Sequence, residues 1–96
     1  MKTINIFSHA GGFAENKDVA RDIRTKIISP SVRNKEEIIL DFQGVESTTQ
    51  SFIHALISEV IRENGDEVLE KMTFKNCSQT VQKIIGIVVE YMQQSS

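Results

Sequence analysis

The stretch EIILDFQGVESTTQSF, residues 37–52, decides the fold. Its apolar run at residues 38–42 lacks alternation, which is typical of a strand covered on both faces of a sheet. A turn at Gly44 and a cluster of hydroxyl side chains follow, and then an amphipathic helix begins. The cluster consists of Ser47, Thr48, Thr49 and Ser51. These hydroxyls lie where a strand leads into a helix N-terminus, whose free amides and dipole favour negative charge.

Two further strands flank this stretch. Residues 2–7 alternate apolar and polar side chains, and residues 72–76 are predicted to form a third strand. Each strand precedes a helical pattern, and a β-α-β-α-β-α order requires parallel strands joined by crossovers. We therefore expect a single α/β domain over residues 1–96, with a small, mainly parallel sheet.

The three helices have recognisable ends. Asn16 is a plausible N-cap of the first, and Pro30 is expected to end it because the residue before proline avoids helical geometry. The second begins in the hydroxyl cluster, where a capping box or either threonine supplies the cap, and closes at Gly65. Ser78 or Thr80 starts the third. The apolar stripes are Val19, Ala20, Ile23 and Ile27 in the first helix and Phe52, Ile53, Leu56, Ile57, Val60 and Ile61 in the second.

The loops that follow the strands are the expected place for a site, because ligands bind beyond the carboxyl ends of parallel strands. The first loop, residues 8–15, carries His9, Gly11 and Gly12. It lacks the spacing of a dinucleotide fingerprint, so a flexible connection is favoured. Its length, about twice the usual for such a connection, keeps a ligand-binding role open.

Asp41 carries the charge at the end of the apolar strand, and its carboxylate is placed to accept hydrogen bonds from the Gly44 turn or the helix start. We favour this structural role over a catalytic one. Cys77 lies before a helix N-terminus, a position that can lower a thiol pKa, although a buried structural cysteine is commoner. No Ser-His-Asp order, carboxylate pair or metal-ligand spacing is recognisable, so we expect no catalytic residue, metal or cofactor.

Composition excludes several classes of function. The net charge of −2 and scattered basic residues argue against nucleic-acid binding. The apolar runs are too short to span a membrane, so we do not expect a membrane as a partner. A single cysteine cannot form an internal disulfide, which favours a cytoplasmic location.

The motif LDFQGV at residues 40–45, followed by a hydroxyl-rich turn and SFI at residues 51–53, resembles the STAS-like family of small bacterial domains. These are related to anti-sigma-factor antagonists and to the STAS domains of anion transporters. In the antagonists the helix opens on D-S-S-G, and a kinase of the histidine-kinase-like ATPase fold phosphorylates the second serine. The resemblance places Ser51 at that acceptor position. Thr49 replaces the acidic residue, and Phe52 replaces the glycine, which we expect to add bulk beside the acceptor.

Three hypotheses follow. The first is a non-enzymatic regulatory module that binds a protein partner, the ATPase kinase being the candidate, and is switched by phosphorylation of Ser51. The alternative is a small-ligand or nucleotide-binding domain that uses Gly11, Gly12 and the turn at residues 47–51. The third is a structural role as one half of an obligate assembly. In it the last helix, whose apolar face is widened by Ile87 and Tyr91, packs against a second copy, as in a homodimer, or against a partner helix. The predicted partner-binding switch loop comprises Asp41, Gly44, Ser47, Thr48, Thr49 and Ser51.

Overall fold

The structure, a computed structural model, describes residues 1–94. In chain order the elements are β1 (Lys2–Asn5), α1 (Ile6–Ala10), β2 (Phe13–Ala14), α2 (Lys17–Ile23, continued by Arg24–Ile28 and Ser29–Arg33), β3 (Ile38–Asp41), β4 (Ser47–Thr48), α3 (Gln50–Ile53, continued by His54–Ser58 and Glu59–Asn64), α4 (Glu67–Glu70), β5 (Met72–Lys75) and α5 (Gln79–Gln94). The middle segments of α2 and α3 are π-helical turns.

The main sheet has three strands in the order β1-β3-β5, and both pairings are parallel. Ile4 lies opposite Leu40, and Leu40 lies opposite Phe74. The prediction of an α/β fold with a small parallel sheet is confirmed. The observed order is compatible with the predicted β-α-β-α-β-α order, to which α1, β2, β4 and α4 are added.

The sheet buries only one face. In the middle strand Ile38 and Leu40 are buried, while Ile39 on the other face is half-buried between the exposed Thr3 and Thr73. The expectation that both faces of this strand are covered is wrong, because the threonines on each side leave its second face to water. The helices form a single layer in which α3 packs against both α2 and α5.

The N-terminal segment differs from its predicted strand and loop. The strand ends at Asn5, whose side-chain oxygen accepts a hydrogen bond from the Ser8 amide at 3.2 Å and so caps α1. The predicted loop at residues 8–15 holds the end of α1 and the short strand β2. This strand pairs in parallel with β4, so that Phe13 lies opposite Ser47 and Ala14 lies opposite Thr48.

The first long helix does not end at Pro30. Asn16 caps it as predicted, but Ser29 keeps helical dihedrals and the helix continues to Arg33. Proline has no N–H to donate, and the π-helical turn before it already departs from the α-helical bonding pattern: the Ser29 amide donates to the carbonyl of Arg24, five residues back. The added residue per turn also moves Ile28 into the core.

The π-helical turn in α3 matches the spacing of its apolar residues. Phe52, Leu56 and Val60 follow one another at intervals of four residues. On a straight α-helix with 3.6 residues per turn, such a series drifts around the axis. The wide turn at His54–Ser58 corrects that drift, and the whole predicted stripe of α3 is buried.

Candidate functional site

Asp41 holds together two loops at the carboxyl edge of the main sheet. Its Oδ1 accepts hydrogen bonds from the Gln43 amide at 2.9 Å and from the Asn76 side-chain amide at 3.0 Å. The bond from Asn76 lowers the pKa of this carboxyl most, the bond from Gln43 adds to it, and the positive charge of Lys75 acts in the same direction. The predicted hydrogen bond from the turn to Asp41 is therefore confirmed.

Gly44 brings the turn after β3 against α1. Its φ is +90°, and a Cβ built on it would lie 3.0 Å from Cδ2 and 3.1 Å from Cγ of Phe7. These distances are shorter than nine in ten real Cβ contacts, so the ring would have to shift by a few tenths of an ångström to admit a Cβ. The backbone conformation therefore favours glycine, and a larger residue would also have to displace the aromatic ring beside it.

The two loops predicted to bind a ligand are bonded to each other. The Gly12 carbonyl accepts from the amides of Glu46 at 2.8 Å and Ser47 at 3.3 Å. The Ala14 carbonyl accepts from the Thr49 amide at 3.3 Å. These three amides are engaged within the fold and are therefore not free to bind an anion.

The remaining residues of the ligand loop are open to solvent or partly so. His9 is exposed in the last turn of α1, and Gly11 lies after it with nothing within 4 Å of a built Cβ. The nucleotide-binding hypothesis stays a prediction.

The structure separates the four clustered hydroxyls by environment. Thr48 is buried and donates its hydroxyl to the Ala14 carbonyl at 2.7 Å. Thr49 is the N-cap of α3, its hydroxyl accepting from the Phe52 amide at 3.1 Å, and Ser47 is half-buried in β4. Ser51 alone is exposed, and within residues 1–94 its hydroxyl makes no hydrogen bond. Ser51 is therefore the hydroxyl that another protein can reach.

The two departures from the antagonist tetrad have structural explanations. Thr49 stands where the relatives have an acidic residue, and both residue types serve as N-caps. The Phe52 side chain is fully buried in the core. The expectation that Phe52 adds bulk beside Ser51 is wrong, because this ring points beneath the helix and not along its surface.

Ser51 also borders a groove of about 680 Å³ that sequence reasoning missed. Helix α3 forms its floor, α2 one wall and α5 the other. The lining comprises Lys17, Arg21 and Arg24 from α2, Gln50, Ser51, His54, Ala55, Ser58, Glu59 and Arg62 from α3, and Ile87, Val88 and Tyr91 from α5. His54, one turn after Ser51 on the same helix, lines the same groove. Four cationic side chains against one carboxylate leave a surplus of three positive charges on a chain of net charge −2.

The π-helical turn of α3 anchors part of the cationic wall. One guanidinium nitrogen of Arg24 donates to the Ala55 carbonyl at 3.0 Å, and the other lies 3.5 Å from Glu59. Ser58 donates its hydroxyl to the His54 carbonyl. Carbonyls in the wide turn thus gain side-chain donors, and Arg24 is held in place with its side chain only 15% exposed.

The opposite wall is apolar. Ile87 is 41% exposed and Tyr91 is 61% exposed on α5, whereas Val88 between them is buried. This confirms that the apolar face of α5 is wider than the core needs. Besides these two apolar residues, the sequence signal for the groove is the spacing of residues 17, 21 and 24, which places three cations along one side of a helix.

Cys77 lies beside the sheet edge, half-buried, with the Lys75 carbonyl 3.8 Å from its sulfur. Burial raises the pKa of its thiol, and the charge of Asp41 acts in the same direction. The direction of this shift is opposite to the lowering that a helix N-terminus can cause, and it agrees with the commoner reading of a partly buried structural cysteine.

Among residues 1–94, no group of three or more His, Cys, Asp and Glu side chains is arranged to hold a metal ion. None of the helices in that range has the length and apolar character needed to cross a membrane.

Comparison with known proteins gives one match. A family model described as "STAS-like domain of unknown function (DUF4325)" matches residues 19–82, which run from the first turns of α2 into α5. No curated protein and no solved structure matches the chain. The matched region includes β3, the Gly44 turn, Ser51 and the floor of the groove.

Proposed function

Because this chain belongs to the STAS-like domain family, we propose that it is a non-enzymatic regulatory module that binds a protein partner around Ser51. The main support for this proposal is the difference in environment between Ser51 and its neighbours. The hydroxyls of Thr48 and Thr49 are engaged by the fold, whereas Ser51 is exposed on the first turn of α3 and its hydroxyl makes no hydrogen bond within residues 1–94. The resemblance to anti-sigma-factor antagonists assigns the acceptor role to the same residue.

Phosphorylation of Ser51 would change the surface and leave the fold intact. A phosphoserine carries a charge of about −1.5 to −2 at pH 7. At the second residue of a helix this charge is tolerated, because the helix dipole and free amides favour it. It would also cancel a large part of the positive surplus along the groove. An acidic or apolar partner surface would then be repelled while stability is unchanged.

The expected partner is a kinase of the histidine-kinase-like ATPase type, as the resemblance implies, acting in the cytoplasm. Such a kinase would supply the catalytic groups and bind ATP, whose γ-phosphoryl group would pass to the Ser51 oxygen while ADP leaves and a base of the kinase takes the hydroxyl proton. This chain would contribute only the accessible hydroxyl and the surface that positions it.

The test is the substitution Ser51→Asp, measured against the partner recovered from native lysate and then purified. We expect its affinity to fall by about tenfold or more, since like charges across an interface cost several kcal/mol. The melting temperature should stay close to that of the parent. Intact-mass analysis of protein from the native host should show an added phosphate that is absent from Ser51→Ala.

Thr80→Asp is the matched control. Thr80 is exposed and is the second residue of α5 after the N-cap Ser78, as Ser51 is the second residue of α3. The substitution therefore adds the same charge at the start of a different helix. Equal binding by parent and Ser51→Asp would contradict the proposal. So would an equal loss in Thr80→Asp.

A further inference from the structure

We infer that the groove between α2, α3 and α5 holds an amphipathic helix of the partner, apolar along one edge and acidic along the other. This rests on the proposed function, because it names the chemistry of the partner for the surface that Ser51 borders.

The walls of the groove repeat at helical spacing. Lys17, Arg21 and Arg24 recur along α2 at intervals of four and three residues, and Ile87 and Tyr91 recur along α5 at an interval of four. Both walls therefore present rows of side chains one helical turn apart. A helix lying in a groove is recognised through anchors at the same i, i+3, i+4 and i+7 spacing.

The apolar wall offers exposed side chains against which such a helix can bury its own apolar residues. Tyr91 and Ile87 are the two large apolar side chains exposed on the described part of α5. Covering about 100 Å² of apolar surface yields roughly 2.5 kcal/mol before the cost of association. Tyrosine also suits an interface, because its ring packs while its hydroxyl stays in water.

The cationic wall selects acidic side chains. Lys17 forms no ion pair within the described residues, and Arg21 pairs only with Asp18, where both side chains are largely exposed, at 57% and 83%. Such a surface pair contributes little, so Arg21 remains open to a competing carboxylate. Arg62 shares Glu59 with the half-buried Arg24. Counting Asp18, two positive charges still remain uncompensated along the groove.

Charge also decides between a foreign helix and a second copy of this chain. A two-fold dimer places the same patch of both subunits face to face. Pairing through this groove would then set two cationic linings against each other. An acidic helix meets the same surface with opposite charge, so it is the occupant that the electrostatics favour.

The test uses a displayed library of 18-residue helical peptides whose surface positions are randomised, selected on the intact protein. We expect the enriched peptides to combine apolar residues at i, i+4 spacing with Glu or Asp on the adjoining side. The double substitution Lys17→Glu/Arg21→Glu should weaken the best peptide by about tenfold or more, and Tyr91→Ser should weaken it several-fold. Raising the salt concentration should also lower its affinity.

Lys26→Glu is the matched control, since Lys26 is an exposed cation on α2 outside the groove lining. Selection of basic peptides, failure to enrich any peptide, or equal losses in Lys26→Glu and the double variant would overturn the inference. Two other results would do the same: concentration-dependent dimerisation abolished by Tyr91→Ser without peptide binding, or binding of the protein only to vesicles containing phosphatidylserine.

The outcomes separate this inference from the proposed switch. Peptide binding that depends on Lys17 and Arg21 supports the groove even where Ser51→Asp leaves the native partner's affinity unchanged.

Discussion

Replacing Gly44 by alanine is expected to destabilise the protein by about 2 kcal/mol. The backbone there has a φ of +90°, and holding a residue with a Cβ in that region costs about 1–3 kcal/mol. The new Cβ would also lie 3.0 Å from the ring of Phe7. Because that ring is 47% exposed and can move, we take the lower end of the overpacking range, about 1 kcal/mol. Alanine also lowers the conformational entropy of the unfolded chain, which offsets about 0.4–1 kcal/mol of this loss of stability.

Gly65→Ala isolates the backbone contribution. Gly65 has a φ of +77° with nothing within 4 Å of a built Cβ, so we expect a loss of only about 1 kcal/mol. The assay is urea denaturation at pH 7 followed by far-UV circular dichroism, with the midpoint and slope fitted separately. The excess of Gly44→Ala over Gly65→Ala should disappear in a Phe7→Ala background. An excess that persists without the ring, or no excess in the parent, would refute the contact as the cause.

Two further predictions concern the residues around this turn. Thr49→Ala should destabilise the protein by about 1 kcal/mol through loss of the N-cap, whereas Ser47→Ala should cost less than half as much; thermal unfolding of both variants checks this, and equal losses would contradict the assignment of the cap to Thr49. Asp41→Asn should lower stability at pH 7, because the folded state lowers the pKa of this carboxyl and so favours its charged form. The stability that the charged carboxylate contributes is present above its ordinary pKa of 3.8 and is lost as the pH falls through the lowered pKa. The free energies of unfolding of parent and variant should therefore converge at that low pH. A difference that stays constant with pH would refute the prediction.

Sequence predicts this fold well where one short segment determines the outcome. Asn16 and Ser78 cap their helices because a cap needs only a side-chain oxygen and the amides two or three residues later. The parallel sheet follows from the alternation of strand and helix patterns along the chain. The STAS-like assignment drew on the same local motif, residues 40–45, which lies inside the matched region.

Prediction fails where distant segments meet. The strands β2 and β4 have two residues each, too few for a periodic pattern, and they exist because Ala14 and Thr48 bond across 34 positions of sequence. Pro30 is a local stop signal that a neighbouring π-helical turn overrides. The same effect puts Ile28 in the core, a position that an α-helical pattern assigns to Ile27.

The candidate site likewise has features that depend on local sequence and features that depend on distant contacts. Four neighbouring hydroxyls look equivalent in sequence, and only the pairing of β2 with β4 removes Thr48 and leaves Ser51 free. The groove is still harder to predict from sequence, because its cations and its apolar wall lie on helices about 70 residues apart. A groove forms only because α3 lies between these two helices. Residues 19–82 of the family match contain the floor but neither Lys17 nor Tyr91. The family match therefore includes Ser51 and most of the cationic wall, whereas Lys17 and the exposed apolar residues Ile87 and Tyr91 of the proposed docking groove lie outside it.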